Sequence, residues 1–370
     1  MRVYLLSPYH AGSHRLWAEG YARASHHEVH LLTMAGRFWK WRMQGGALEL
    51  AEQVEQTCHR YGPPDVLLVT DMVNLPALLA LARPRLANTP VLFYAHENQL
   101  TYPPPPGEKR DLTYAMINTL SMACADVIAF NSAFHRRSFF AELPNLLKHF
   151  PDYNHLHLVR ELEAKSVVLP VGLDLTGLDR QRPQARRQGP LHILWNQRWE
   201  YDKNPAAFFR ALYALEEDGY DFRVSIVGEN FRRQPAEFEE ARHRLAGRIR
   251  HFGFQPDRNA YARVLWQADL VVSTAVHEFF GISILEAIYC ECYPLLPARL
   301  SYPELLPEPE HDAHLYRDEA DLLARLEAAA GDPASIRGTS LRHVAARFDW
   351  QRLASRYDAL LASLAAGQHR

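Results

Sequence analysis

His277-Glu278-Phe279-Phe280-Gly281-Ile282-Ser283-Ile284-Leu285-Glu286-Ala287 decides the fold of this chain. It follows the apolar run Leu270-Val271-Val272-Ser273-Thr274, which reads as a strand buried on both faces of a parallel sheet. Ser283 to Cys290 reads as the next helix, so Glu278 falls in a tight strand-to-helix loop. Such loops lie at the carboxyl edge of a sheet, where open α/β folds bind ligands. Gly281 lets the backbone approach a ligand closely, and the N–H groups opening the helix face an anion. Phe279, Phe280, Gly281 and Ile282 are therefore ligand-binding candidates. Glu286, eight residues after Glu278, returns to the same place and can accept hydrogen bonds from a ribose diol. Either carboxylate alone reads as an ordinary solvated glutamate; the pair around a glycine is more specific.

Upstream, the short apolar strand Leu191-His192-Ile193-Leu194-Trp195 runs into Asn196-Gln197-Arg198-Trp199-Glu200-Tyr201-Asp202-Lys203-Asn204-Pro205. Two cations five residues apart, between a strand and a helix starting near Pro205, suit a diphosphate. Arg198 can fork onto phosphate oxygens and Lys203 adds a compact charge. Taken alone, the pair reads more readily as solvated surface charge. Strands at Asp221–Glu229 and around His251–Phe254, with a helix over Asn259–Ala268, complete an alternating pattern that predicts a doubly wound parallel sheet.

At 370 residues the chain suits two domains. Hydrophobic residues make up 48% and charged ones 23%, a globular balance that leaves no uncharged stretch long enough to span a membrane. The start, Met1 to Pro8, turns polar too soon for a signal peptide and reads as a first strand. Cys58, Cys124, Cys290 and Cys292 fit no usual zinc spacing and read as reduced core thiols, which points to the cytoplasm. A net charge of −2 excludes global attraction to nucleic acid, so any such binding needs a local patch. Asp174 to Gly189, with Arg180, Arg182, Arg186 and Arg187 and no apolar periodicity, reads as a linker. It divides residues 1–173 from a C-terminal domain at 190–345, and residues 346–370 carry a last helix.

The N-terminal half is also α/β. Its first strand ends at Tyr9-His10-Ala11-Gly12-Ser13-His14, where Ser13 can cap the following helix. Gly36-Arg37-Phe38-Trp39-Lys40-Trp41-Arg42-Met43 packs three cations and three aromatics together. This suits phosphate contact and base stacking, or equally indoles buried beneath a sheet with solvated cations. Further basic residues are Lys109, Arg110, Arg136 and Arg137. The strand at Val91–Tyr94 opens into Ala95-His96-Glu97-Asn98-Gln99-Leu100-Thr101-Tyr102-Pro103, followed by the prolyl run to Pro106.

The Glu278–Glu286 pair resembles the signature of retaining nucleotide-sugar glycosyltransferases of the GT-B fold, whose Arg and Lys stabilise the departing nucleoside diphosphate. Gln197 departs from that group, which usually has glycine before the Arg. Over about the first 170 residues, Ser13-His14 after a glycine, Phe38 to Arg42, Tyr94 to Pro103 and Phe130-Asn131-Ser132 together resemble the tRNA-queuosine mannosyltransferase family. That resemblance implies two Rossmann-like domains facing across a cleft, with the C-terminal helix crossing back to the first. It implies transfer of mannose from GDP-mannose to queuosine in the anticodon of an aspartate tRNA, with no metal and no other cofactor. It casts His96, Arg198, Lys203 and Glu278 as catalytic, and Gly12, Phe279, Phe280, Gly281, Ile282 and Glu286 as donor-binding. Ser13, His14, Arg37, Lys40, Arg42, Glu97, Asn98, Gln99 and Tyr102 become candidates for the acceptor tRNA, with Trp39 or Trp41 as a stacking face. Replacing Arg198 or Lys203 with alanine is expected to reduce turnover far more than stability. Two readings compete: a retaining glycosyltransferase acting on a saccharide or lipid, and a nucleotide-sugar binding protein without turnover.

Overall fold

Short apolar strands, nearly all Val, Leu, Ile and aromatic, build two separate all-parallel sheets in the computed structural model, which describes residues 1–104, 107–185, 187–229 and 236–368. Pro105 and Pro106 of the prolyl run, and Arg186, lie outside the described residues. The chain divides into one unit of Met1–Leu173 with Trp350–Arg370 and a second of Asp174–Asp349.

In the first unit, strands β1 (Arg2–His10), β2 (Glu28–Ala35), β3 (Val66–Thr70), β4 (Val91–Ala95), β5 (Val127–Phe130) and β6 (Ser166–Val168) lie in the order β2-β1-β3-β4-β5-β6. Every neighbouring pair is parallel. Residues of β3, β4 and β5 are buried throughout, as strands covered by helices on both faces must be. The order reverses direction between β1 and β3, which is where an open sheet leaves a crevice outside its carboxyl edge. Helices α1 (Gly12–Ala24), α2 (Trp39–Tyr61), α3 (Leu112–Cys124) and α4 (Ala133–Lys148) begin at that edge.

The second unit holds β7 (Leu191–Trp195), β8 (Phe222–Ile226), β9 (Ile249–Phe252), β10 (Leu270–Val272), β11 (Tyr293–Pro297) and β12 (Leu315–Tyr316), in the order β12-β11-β10-β7-β8-β9. These strands are parallel too, and the reversal falls between β7 and β10. The loops after those two strands carry the Arg198–Lys203 and Glu278 motifs, so topology alone brings both to one crevice. Helices α5 (Pro205–Glu217), α6 (Arg258–Gln267) and α7 (Ile282–Tyr289) follow β7, β9 and β10.

Two expectations change. Residues 174–189 are not a bare linker: Thr176–Gln181 is a 3-10 turn with Leu178 buried, and the Trp266 indole donates to the Leu178 carbonyl at 2.9 Å. Arg187 donates to the carbonyls of Trp266 (2.8 Å) and Cys290 (2.7 Å), which ties the segment to the second unit. Arginines that cap carbonyls leave no apolar period to read. Among the thiols, Cys124 is exposed rather than in the core, while Cys58, Cys290 and Cys292 are buried. Among the described residues no helix is long and apolar enough to cross a membrane.

The last helix, α8 (Trp350–Ala365), returns to the first unit, where the stripe Trp350, Leu353, Ala354, Tyr357, Leu361 and Leu364 is buried at helical spacing. The Trp350 indole lies against Gly20 and Gly172, and the Tyr357 hydroxyl accepts from the Trp17 indole at 3.1 Å. Asp358 accepts from the Tyr21 hydroxyl (2.8 Å), the Ser25 hydroxyl (2.6 Å) and the His26 N–H (2.9 Å). Burial alone would raise its carboxyl, but these donors outweigh it and hold it below the ordinary range. Asp358→Ala should lower stability by about 2–4 kcal/mol in urea titration, since three donors lose their acceptor. A depressed folded value means this stabilisation is complete above pH ~4 and fades as pH falls through the folded value, so the gap between variant and wild type should close in acid.

Candidate functional site

At the crevice of the second unit, Lys203 closes a 3-10 turn after β7 and is buried. Its ammonium donates to the His277 carbonyl at 2.9 Å and lies 3.3 Å from Glu278 Oε2 and 3.1 Å from Asp202 Oδ2. Burial works against its charge, yet the two carboxylates win and hold it above its ordinary value. Glu278 moves the opposite way: burial would raise it, but Lys203 and the Phe280 N–H (3.2 Å from Oε1) keep it ionised below the usual range. His277, buried and beside Lys203, is pushed down to about 4 and is neutral at pH 7. Arg198 differs from Lys203. Its side chain is 43% exposed and its guanidinium sits 3.4 Å from Glu200, at the surface of the same loop.

Gly281 is the N-cap of α7 with φ of +104°, a left-handed conformation, and an added Cβ would meet Leu305 at 3.0 Å. It offers no capping side chain, so the first N–H groups of α7 take no side-chain cap. Phe279 and Phe280 bury their rings, and the Phe280 N–H is already given to Glu278, so what this loop presents is backbone from Gly281 and Ile282. Glu286 is buried and engaged: Arg258 reaches Oε1 at 2.7 Å and the Tyr261 hydroxyl donates to Oε2 at 2.9 Å. Asn196 donates to that Tyr261 hydroxyl (3.1 Å) and to the Ser283 carbonyl (2.8 Å), linking the β7 and β10 loops a second time. Each Glu286 oxygen has a second lone pair.

In the first unit the edge loops of β1, β3, β4 and β5 converge on His96. Its ring lies 4.4 Å from that of His14, 4.6 Å edge-on to Trp17 and 4.8 Å from Tyr94. Trp17 is held by Tyr357, so the C-terminal helix supports one wall of this pocket. Burial first, then the His14 and His135 rings, holds His96 well below the usual imidazole range, so it is uncharged near pH 7. Both backbone groups of His96 are clamped: its N–H donates to Asp71 Oδ1 (3.1 Å) and its carbonyl accepts from Asn131 Nδ2 (2.8 Å). Asn118 bridges the Asp71 carbonyl (2.9 Å) and the Gln99 N–H (3.0 Å). The Asp71 carboxyl is pushed well above its ordinary range by burial and then by Glu97.

The other first-unit candidates divide. His14 joins His96, and Ser13 and Gly12 open α1, with Gly12 at φ of +49°. Ser13 does not cap that helix; Ala11 is its N-cap, because the turn comes two residues earlier than a serine cap requires. Glu97 accepts from Gln99 Nε2 at 3.3 Å. Asn98 is fully buried and spends its amide on its own turn, accepting from the N–H groups of Leu100 (3.0 Å) and Thr101 (2.8 Å). The Tyr102 carbonyl accepts from Arg110 at 3.2 Å. Arg37 and Lys40 are exposed, whereas Arg42 folds back onto the Ala35 carbonyl at 3.3 Å. Asp71, Asn118 and Trp17 were not singled out by sequence. Asp71 stands directly after a buried strand, the same signal that marks His96; Asn118 and Trp17 sit inside helices with nothing to distinguish them.

The whole chain superimposes on a sucrose-phosphate synthase from Thermosynechococcus elongatus with a TM-score of 0.72 at 17% identity, covering 99% of this chain and 100% of that one. A trehalose-6-phosphate synthase gives 0.67 at 13% identity, covering 98% and 99%. Residues 179–328 match the model of glycosyl transferases group 1. With the two parallel sheets, these define a glycosyltransferase of the GT-B fold. Residues 2–173 match the N-terminal model of tRNA-queuosine alpha-mannosyltransferase, and the protein of that name from Drosophila melanogaster is 33% identical over 314 residues, 83% of this chain and 82% of its own length. The chain belongs to the tRNA-queuosine alpha-mannosyltransferase family. A GDP-mannose-dependent phosphatidylinositol dimannoside mannosyltransferase of Mycobacterium tuberculosis is 29% identical over 208 residues, 55% of this chain and 53% of its own.

The two cations should separate in stability measurements. Arg198→Ala, at an exposed position, should stay within about 0.5 kcal/mol of wild type. Lys203→Ala strands Asp202 and Glu278 in the interior and should lose about 3–5 kcal/mol in denaturant titration. The expectation from sequence that both would spare stability therefore changes for Lys203, because it and Asp202 are buried and Glu278 is largely so.

Proposed function

We propose that this glycosyltransferase moves mannose from GDP-mannose to a hydroxyl of the queuosine cyclopentene diol in the anticodon of tRNA(Asp), with retention at the anomeric carbon and without a metal. The observation that carries the reading is the meeting of Arg198, Lys203 and Glu278 at one switch point, in a chain whose first 173 residues match the queuosine family. The donor assignment draws support from the Drosophila relative's alpha-mannosyltransferase name and the mycobacterial relative's GDP-mannose dependence.

The bond from the anomeric carbon to the diphosphate oxygen breaks while the acceptor hydroxyl forms its bond on the same face. The acceptor proton passes to the leaving diphosphate. Arg198 and the N–H groups at Gly281 and Ile282 bear the charge that grows on that diphosphate. Lys203 fixes Glu278 beside them, and Glu278 orients sugar hydroxyls. Glu286 accepts from the ribose diol through its remaining lone pairs, with Arg258 and Tyr261 holding its orientation. In the first unit, the catalytic candidate His96 is uncharged near pH 7.

Incubating the protein with a panel of nucleotide sugars and queuosine-containing tRNA, then weighing the nucleosides, tests this reading. A hexose added to queuosine from GDP-mannose alone, undiminished by a strong chelator, is expected. Hexose transfer to a saccharide or lipid but not to tRNA would favour the competing acceptor. Arg198→Ala should lower turnover roughly 100-fold or more with little change in stability.

A further inference from the structure

The aromatic-cationic segment at the start of α2 divides between the two alternatives that the sequence left open. Trp39 is not a free face: it packs edge-on to Tyr114 at 5.0 Å, in a small cluster with Met43 and Met72. Phe38 and Trp41 remain 68% and 57% exposed. Phe38 is also held left-handed, at φ 56° and ψ 50°, a conformation bulky side chains avoid and one that clusters at binding sites.

Trp41 has a built seat. Gly45, one turn further along α2, lies beneath its indole, and a Cβ there would come within 2.7 Å of Trp41 Cζ2 and 2.8 Å of Cη2. Glycine is disfavoured inside a helix, and Gly45 has no positive φ to excuse it. Its effect is to let the indole lie flat on the helix backbone, with the other ring face open. The neighbours of Trp41 in sequence include cations and aromatics. The Arg37 guanidinium lies 5.9 Å from the Phe38 ring, the Lys40 ammonium sits 5.7 Å from both Trp39 and Tyr114, and the first turn of α2 carries no acidic residue. The helix adds the positive end of its dipole. The segment follows β2, whose Ala35 pairs with His10 of β1, so it adjoins the loop that carries Gly12 to His14.

We infer that Trp41, seated on Gly45 and flanked by Phe38, is a stacking platform for an unpaired base of single-stranded RNA, with Arg37 and Lys40 taking the adjoining phosphates. This rests on the acceptor being an RNA. The charge pattern selects a polyanion and the open ring face selects an unstacked base over a duplex.

The test is binding of a hairpin RNA with an open loop, and of a fully paired duplex of equal length, across a range of salt. Wild type should prefer the hairpin. Trp41→Ala should weaken hairpin binding about tenfold by the same factor at every salt concentration, because stacking releases no counterions, and Trp41→Phe should restore most of it. Arg37→Ala with Lys40→Ala should instead flatten the salt dependence. Gly45→Ala keeps the helix and displaces the indole, so it should reduce hairpin affinity with no loss of thermal stability. If wild type prefers the hairpin and the Trp41→Ala and Gly45→Ala proteins bind it equally well, the platform is wrong while the RNA acceptor stands. If wild type binds neither RNA, both ideas fall. Loss of anionic-vesicle binding in Trp41→Ala with RNA binding intact would assign the face to a membrane and overturn the proposal.

Discussion

The ammonium of Lys203 is the constraint on which the crevice of the second unit depends. It joins the loops after β7 and β10, non-consecutive strands that the sheet order makes neighbours. Inside the protein such a charge is unfavourable unless paired, and here Glu278, Asp202 and the His277 carbonyl pair it. Glu278 is thereby fixed, and with it the turn through Phe280 and Gly281 that opens α7. The geometry of this crevice consequently rests on one buried charge. Arg198 lies outside that lock, with its side chain 43% exposed.

The first unit solves the equivalent problem with neutral groups. His96 stands at the end of β4, gripped at its N–H by the carboxyl following β3 and at its carbonyl by the amide following β5. Trp17 and Tyr94 wall its ring, and the C-terminal helix holds Trp17 through Tyr357. An imidazole buried among aromatics and two other histidines stays uncharged, which suits positioning better than acid catalysis near pH 7.

Sequence disclosed the strands at Leu191 and Leu270 and the loops after them, because buried parallel strands leave continuous apolar runs and glycine marks the turn. It did not disclose that Lys203 is interior and Arg198 is not, since both read as cations in one polar loop. Burial there is set by strand neighbours distant in sequence. Glu286 was read as a carboxylate awaiting a ribose; its pairing with Arg258 depends on α6 lying beside α7, which local pattern cannot supply. The Arg37–Arg42 segment shows the same limit. Its composition announced a surface of cations and rings, but only Tyr114 and Gly45 decide that Trp39 is packed, Trp41 open and Arg42 turned back to the chain.

The most direct measurement of the donor site is amide hydrogen exchange with and without GDP-mannose. Slower exchange is expected in two separate stretches, 196–203 and 278–286, which β7 and β10 bring to one crevice. Arg198→Ala should weaken that protection at a given nucleotide-sugar concentration. Unchanged exchange in both stretches, with protection arising elsewhere in the chain, would contradict that expectation.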